Sequence, residues 1–150
     1  HSLTSESMHD DLEEREEWEK KPVLAGDIYY VKRIGWKNAG GFSNNLTRNG
    51  HPALATNPSS KGKDVMKVVP GSTVRKSHQW LFTPQLKVNY YKREFDREGS
   101  NYVLDLWRTV SRKKSVTSYQ IGQIHEEDKR RLCSEMSKVH LDKFKPSESV

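Results

Sequence analysis

Across residues 65–124 the apolar side chains come in short runs that alternate with polar ones, and each run ends at a turn signal. A period of two puts successive side chains on opposite faces of a strand, so this stretch is expected to form antiparallel β-structure. A strand at 65–69 meets the turn residues Pro70-Gly71, and strands at 78–82 and 86–91 flank Pro84, where proline demands a bend, bulge or edge. Tyr102, Leu104 and Leu106 alternate with Val103, Asp105 and Trp107 in a strand over 102–110, and Ser111-Arg112-Lys113-Lys114-Ser115 joins it to a strand over 116–124. With a further strand at 27–34, where Ile28, Tyr30 and Ile34 alternate with Tyr29, Val31 and Arg33, this predicts a meander of about five or six strands.

The period changes after residue 125. Leu132, Met136, Val139 and His140 follow a helical stripe with Cys133 beside it, and Glu126, Glu127 and Asp128 occupy the first turn, where the helix dipole favours acids. A helix over 126–144, packed on the sheet and stopped by Lys145-Pro146, is expected. The fold class is therefore α+β: an antiparallel sheet or roll with a C-terminal amphipathic helix. That order resembles the pleckstrin-homology-like superfold, in which the last helix closes one end of the sheet, so a PH-like roll is one expectation.

A second helix is predicted at 8–21. Ser7 caps it, Asp10 and Asp11 sit near its positive end, Lys20 and Lys21 near its negative end, and Pro22 stops it. Its apolar content is only Leu12 and Trp18, too little for a broad core contact, so Trp18 is the candidate partner-binding residue of an acidic N-terminal extension, residues 1–21. The rest divides into a single α+β domain at 22–144 and a tail at 145–150. Residues 35–63, rich in Gly, Asn, Ser and Pro, are expected to form a long polar loop with at most a hairpin around Asn49-Gly50. Starting at His1, the chain is expected to be part of a longer one.

Motifs of catalysis are missing from the sequence. The six histidines are dispersed and the one cysteine stands on the apolar flank of the last helix, so no metal site, no cofactor and no internal disulfide are expected. Lys61-Gly62-Lys63 lacks Walker spacing, and no nucleophile motif occurs. The expectation is that the chain is not an enzyme. No apolar run is long enough to span a membrane, and an intracellular setting, cytoplasm or nucleus, is expected.

Charge supplies the positive signal. Residues 1–21 carry eight acidic and three basic side chains, so the overall +6 conceals a segment at −5 and a remainder at +11. Between residues 61 and 114 there are 13 basic residues against five acidic ones, concentrated at predicted turns. Like charges on hairpin tips attract polyanions. The candidate polyanion-binding residues are Arg112, Lys113 and Lys114, supported by Lys92, Arg93, Arg75, Lys76, Lys61 and Lys63. Trp80, Phe82, Tyr90, Tyr91, Tyr102, Trp107 and Tyr119 supply aromatic rings on which bases can stack. A non-enzymatic module binding nucleic acid, either RNA or single-stranded DNA, or another polyanion is the first reading. The alternative is a PH-like protein-interaction or scaffold module, contacting acidic phospholipid or an acidic peptide, with a protein partner at the N-terminal helix.

Overall fold

The computed structural model describes residues 21–40, 50–59, 64–72, 80–95 and 101–144. The predicted acidic helix with Trp18, residues 41–49 of the polar loop and the tail lie outside the described residues, as do Lys61, Lys63, Arg75 and Lys76.

In chain order the described elements are β1 (Asp27–Val31), α1 (Arg33–Asn38), β2 (His51–Ala55), β3 (Val65–Ser72), β4 (Leu81–Phe82), β5 (Asn89–Tyr90), β6 (Asn101–Val103), β7 (Arg108–Ser111), β8 (Thr117–Gln123) and α2 (Glu126–His140). Two 3-10 turns, Arg93–Phe95 and Leu141–Lys143, complete them. The sheet runs β4-β6-β3-β2-β1-β8-β5, with β7 also paired to β3, and its ladders are antiparallel. The α+β class and the C-terminal helix are as expected.

The topology is not the expected meander. The last strand, β8, returns to lie beside the first, and β7 pairs with β3 although it is joined to β8 by a short turn. A sheet of eight short strands in this order gives no support to the PH-like expectation, and five or six strands was an undercount. Three local reasons explain the difference. The alternation over 102–110 is interrupted at Leu104-Asp105, where the chain turns, so one expected strand becomes β6 and β7. Pro70 and Gly71 sit inside β3 instead of ending it. Pro70 falls at the break between the β7 ladder, which ends at Val68, and the β6 ladder, which begins at Gly71, so its missing N–H costs no ladder bond on that side. The expected strand at 27–34 stops at Val31, and the expected loop at 35–63 contains the end of α1 and all of β2.

Both faces of the sheet are buried, which is why its central strands read as nearly continuous apolar runs. Ile28, Leu54 and Val69 point to one face, where Phe82, Tyr102, Ile121 and Ile124 meet Leu132 and Met136 of α2. Full burial of the two α2 side chains contributes about 1.5–3 kcal/mol each. Tyr29, Val31, Ala53, Ala55 and Val68 point to the other face, where Trp36 of α1, Met66 and Val110 cover them. Alanines suit this second face because Trp36, fully buried, fills the space above them.

Helix α2 is fastened at its start. His125 accepts a hydrogen bond from the Glu127 N–H at 3.3 Å. The buried Asp128 carboxylate accepts from the Gln85 and Leu86 N–H groups at 3.0–3.2 Å and from Arg131 at 3.0 Å. Gly50 starts β2 at φ +92°, and a Cβ there would stand 2.2 Å from the Val31 carbonyl oxygen, so only glycine fits the return into the sheet.

Candidate functional site

Residues 111–116, between β7 and β8, form a turn closed on itself. Thr117 Oγ1 donates to the Ser111 carbonyl at 2.5 Å, the Lys113 N–H donates to Ser111 Oγ at 3.1 Å, and the Val116 and Thr117 N–H groups share the Lys113 carbonyl at 2.9 Å each. Hydroxyl residues at both ends explain why this basic segment folds as a tight turn.

Arg112 roots that turn. Its N–H donates to the Asp64 carbonyl at 2.7 Å, and its guanidinium Nη2 donates to the Lys21 carbonyl at 2.9 Å. The side chain is only 3% exposed. Lys113 and Lys114 behind it are exposed. Asp64, Arg112, Lys113, Lys114 and Ser115 together line one cleft. Of the sequence candidates, then, Arg112, Lys113 and Lys114 come together, with the arginine buried at the base and the two lysines presented to solvent.

Helix α1 brings more cations to the same turn. The Lys32 N–H donates to the Val116 carbonyl at 2.8 Å. Gly35 permits the close approach, since a Cβ there would stand 3.0 Å from Val116 Cγ1 and 2.6 Å from Val31 Cγ1. Gly35 and Trp36 face inward, leaving Lys32, Arg33 and Lys37 exposed, with Arg33 and Lys37 one turn apart. These three were not selected from the sequence. They sit in what read as a strand end and a polar loop, and only the helix and its bond to residue 116 bring them to the element that abuts this turn.

Lys92 and Arg93, both exposed, belong to a second region. They enter the 3-10 turn after β5, which closes through the Phe95 N–H on the Lys92 carbonyl at 3.1 Å and packs Phe95 6.4 Å from the ring of Tyr30. Tyr91 precedes them and is 52% exposed. Its hydroxyl accepts a hydrogen bond from Gln120 Nε2 at 3.1 Å.

Between the two regions lies a buried polar pair. Asp27 accepts from the Leu24 N–H at 3.0 Å and faces the Tyr29 hydroxyl at 3.5 Å. Burial raises the Asp27 pKa above the usual carboxylate value against the pull of the Leu24 N–H and of Lys129. Burial and the adjoining Asp27 charge also push the Tyr29 hydroxyl far up, with the Arg112 guanidinium acting in the opposite sense and Tyr91 adding to the rise.

Of the other aromatics, Phe82 and Tyr102 are core. Trp107 is partly buried, its Nε1 donating to Thr56 Oγ1 at 2.7 Å and its ring meeting His140 at 4.8 Å, Phe144 at 5.8 Å and the Lys67 ammonium at 4.8 Å. Among the described residues no group of three His, Cys, Asp or Glu side chains is placed to hold a metal ion, and no helix is long and apolar enough to cross a membrane.

No protein-family profile and no curated protein matches the chain. Among solved structures it is similar to MazF from Deinococcus radiodurans in Form-I, at 11% identity and TM-score 0.48, over 79% of this chain and 96% of that one. It is also similar to MazE-MazF from the same organism, in Form-III at 12% identity and TM-score 0.46, over 79% and 95% of the two chains. Form-II of that pair gives 14% identity and TM-score 0.45, over 79% and 94%. This finding overturns the expectation that the chain is not an enzyme, and the description as a non-enzymatic module is withdrawn. The neighbours lend no support to a PH-like interaction or scaffold module.

Proposed function

We propose that the chain binds single-stranded nucleic acid, with RNA as the principal ligand, through the cleft at the β7–β8 turn and the adjoining end of α1. The observation that carries this reading is the cleft itself: Lys113 and Lys114 exposed on a closed turn whose root, Arg112, is buried and bonded to backbone. A rigid turn loses little conformational entropy when its lysines engage phosphate, and Lys32, Arg33 and Lys37 extend the same positive surface. Among the described residues, Asp64 is the acidic side chain lining the cleft, beside three cations.

A single strand suits this surface better than a duplex. Reading a major groove calls for a projecting helix or ribbon, and α1 is a six-residue helix anchored inward by Gly35 and Trp36. The test is fluorescence anisotropy of a labelled single-stranded RNA titrated at low salt, with duplex DNA and anionic vesicles in parallel. Binding of the single strand that weakens steeply with salt is expected. No binding at low salt, or preference for vesicles, would overturn the proposal.

A further inference from the structure

We propose that Tyr91 is a base-stacking platform for the same single strand, with Lys92 and Arg93 beside it to take the flanking phosphates. The inference rests on the nucleic-acid reading above and adds a second contact of a different kind. Most described aromatic rings are already covered: Phe82 by the Arg131 guanidinium at 4.3 Å, Tyr30 by Phe95, and Trp107 by three neighbours. Tyr91 at 52% exposed and Trp80 at 38% are the more open rings, and Tyr91 is the more exposed of the two, with no other ring stacked on it among the described residues.

It is nevertheless held in place at both ends. Its N–H donates to the Ile121 carbonyl at 2.9 Å, which extends the β5–β8 ladder by one bond. Its hydroxyl is gripped by Gln120 Nε2, and that same amide is braced on the Gly122 carbonyl at 3.0 Å. Gly122 is itself demanded by close packing, since a Cβ there would meet the Asn89 carbonyl oxygen at 2.6 Å. An exposed ring fixed in this way gives a base a flat surface without having to be ordered on binding. Every base offers a face for such stacking, so the contact suits a strand of any sequence.

The position also fits. Strand β8 links the two contacts, since Thr117 at its start closes the cation turn and Gln120, three residues on, holds the Tyr91 hydroxyl. A strand whose phosphates sit at Lys113 and Lys114 is then directed towards Tyr91, with the exposed Lys92 and Arg93 next along the chain.

The experiment uses the full chain and a single-stranded RNA carrying 2-aminopurine, whose fluorescence is quenched on stacking. Tyr91→Ala is expected to weaken binding about 5- to 150-fold and to lose the quench, while leaving the salt dependence as in the unsubstituted chain. Tyr91→Phe, which keeps the ring and removes only the hydroxyl, is expected to retain quench and most of the affinity. Abasic RNA is expected to bind the Tyr91→Ala variant and the unsubstituted chain alike. Tyr91→Ala binding and quenching like the unsubstituted chain, while Lys113→Ala/Lys114→Ala weakens binding, would sink the stacking inference alone. Failure of the unsubstituted chain to bind at low salt would sink the nucleic-acid reading, and this inference with it.

Discussion

Replacing Lys113 and Lys114 together by alanine tests the cleft most directly, because they are the two exposed cations on its turn. Among the described residues, five exposed cations lie on the turn and on α1 and its N-cap: Lys32, Arg33, Lys37, Lys113 and Lys114. Arg112 is left out of this count, since at 3% exposure its guanidinium is committed to the Lys21 carbonyl. If each of these five neutralises one phosphate of a single strand, they contribute about −3.5 to the slope of log affinity against log salt, which weakens binding about 130-fold between 50 and 200 mM, and Lys92 and Arg93 add to it. Removing two cations makes the slope shallower by about 1.4, which cuts the loss over the same salt step about 7-fold. Anisotropy titrations across that range measure both slopes. Lys138→Ala is the control, an exposed lysine on α2, which packs on the opposite face of the sheet from α1. Its slope should match that of the unsubstituted chain. A double variant whose slope is unchanged, or a control that falls as far, would show that binding does not run through this turn.

The remaining predictions concern what holds the site in place. Gly50→Ala forces a side chain into the left-handed region and against the Val31 carbonyl, and should cost at least about 1–3 kcal/mol by urea denaturation; an unchanged midpoint would refute this. Asp128→Asn should cost about 1.5–3 kcal/mol at neutral pH, because its carboxylate takes two backbone N–H bonds and the Arg131 guanidinium. Burial works to raise the pKa of Asp128, but the N–H bonds from Leu86 and Gln85 and the Arg131 guanidinium bring it below the usual carboxylate value. Its stabilisation is therefore complete above that value and lost as pH falls through the folded pKa, so the gap between Asp128→Asn and the unsubstituted chain should close in acid. Asp27 has the opposite sign. Burial raises its folded pKa, so the ionised form weakens the fold at neutral pH, and Asp27→Asn should be the more stable protein at pH 7. That advantage should shrink as acid protonates Asp27, and a variant less stable at pH 7 with no change on acidification would contradict it.

How much of this was legible from residues alone depends on the range of the interaction. The helix at 126–140 could be read because its stripe, its acidic first turn and its stop signal are all local. The identity of Lys113 and Lys114 as turn residues was legible for the same reason. Pairing was not. Nothing near Thr117 announces that it will face Val31, or that Ser111 will face Val65, because these partners are far apart in the chain and several strands offer similar apolar faces. The role of Arg112 was hidden too. In sequence it is one of three adjacent cations, and only the backbone carbonyl of Lys21, 91 residues away, separates it from its neighbours. Alternation failed over 102–110 because a turn at Leu104-Asp105 preserves an apolar sequence while breaking the strand. Small-residue strands are the other blind spot: Ala53 and Ala55 carry almost no hydrophobic signal, yet both are fully buried beneath Trp36.

The concentration of charge has a physical consequence of its own. Like charges on the turn and on the neighbouring helix α1 repel one another, and the fold must hold Lys113 and Lys114 against that repulsion. Arginine suits the root of such a turn, because its planar guanidinium can bond a carbonyl while remaining charged, whereas a buried ammonium readily gives up its proton. The four backbone and hydroxyl bonds closing residues 111–117 then keep Lys113 and Lys114 from swinging apart to relieve the repulsion. A surface held in that condition gains most from a ligand that brings regularly spaced negative charge, and the phosphates of a single strand meet that need while leaving the bases free to reach the ring of Tyr91.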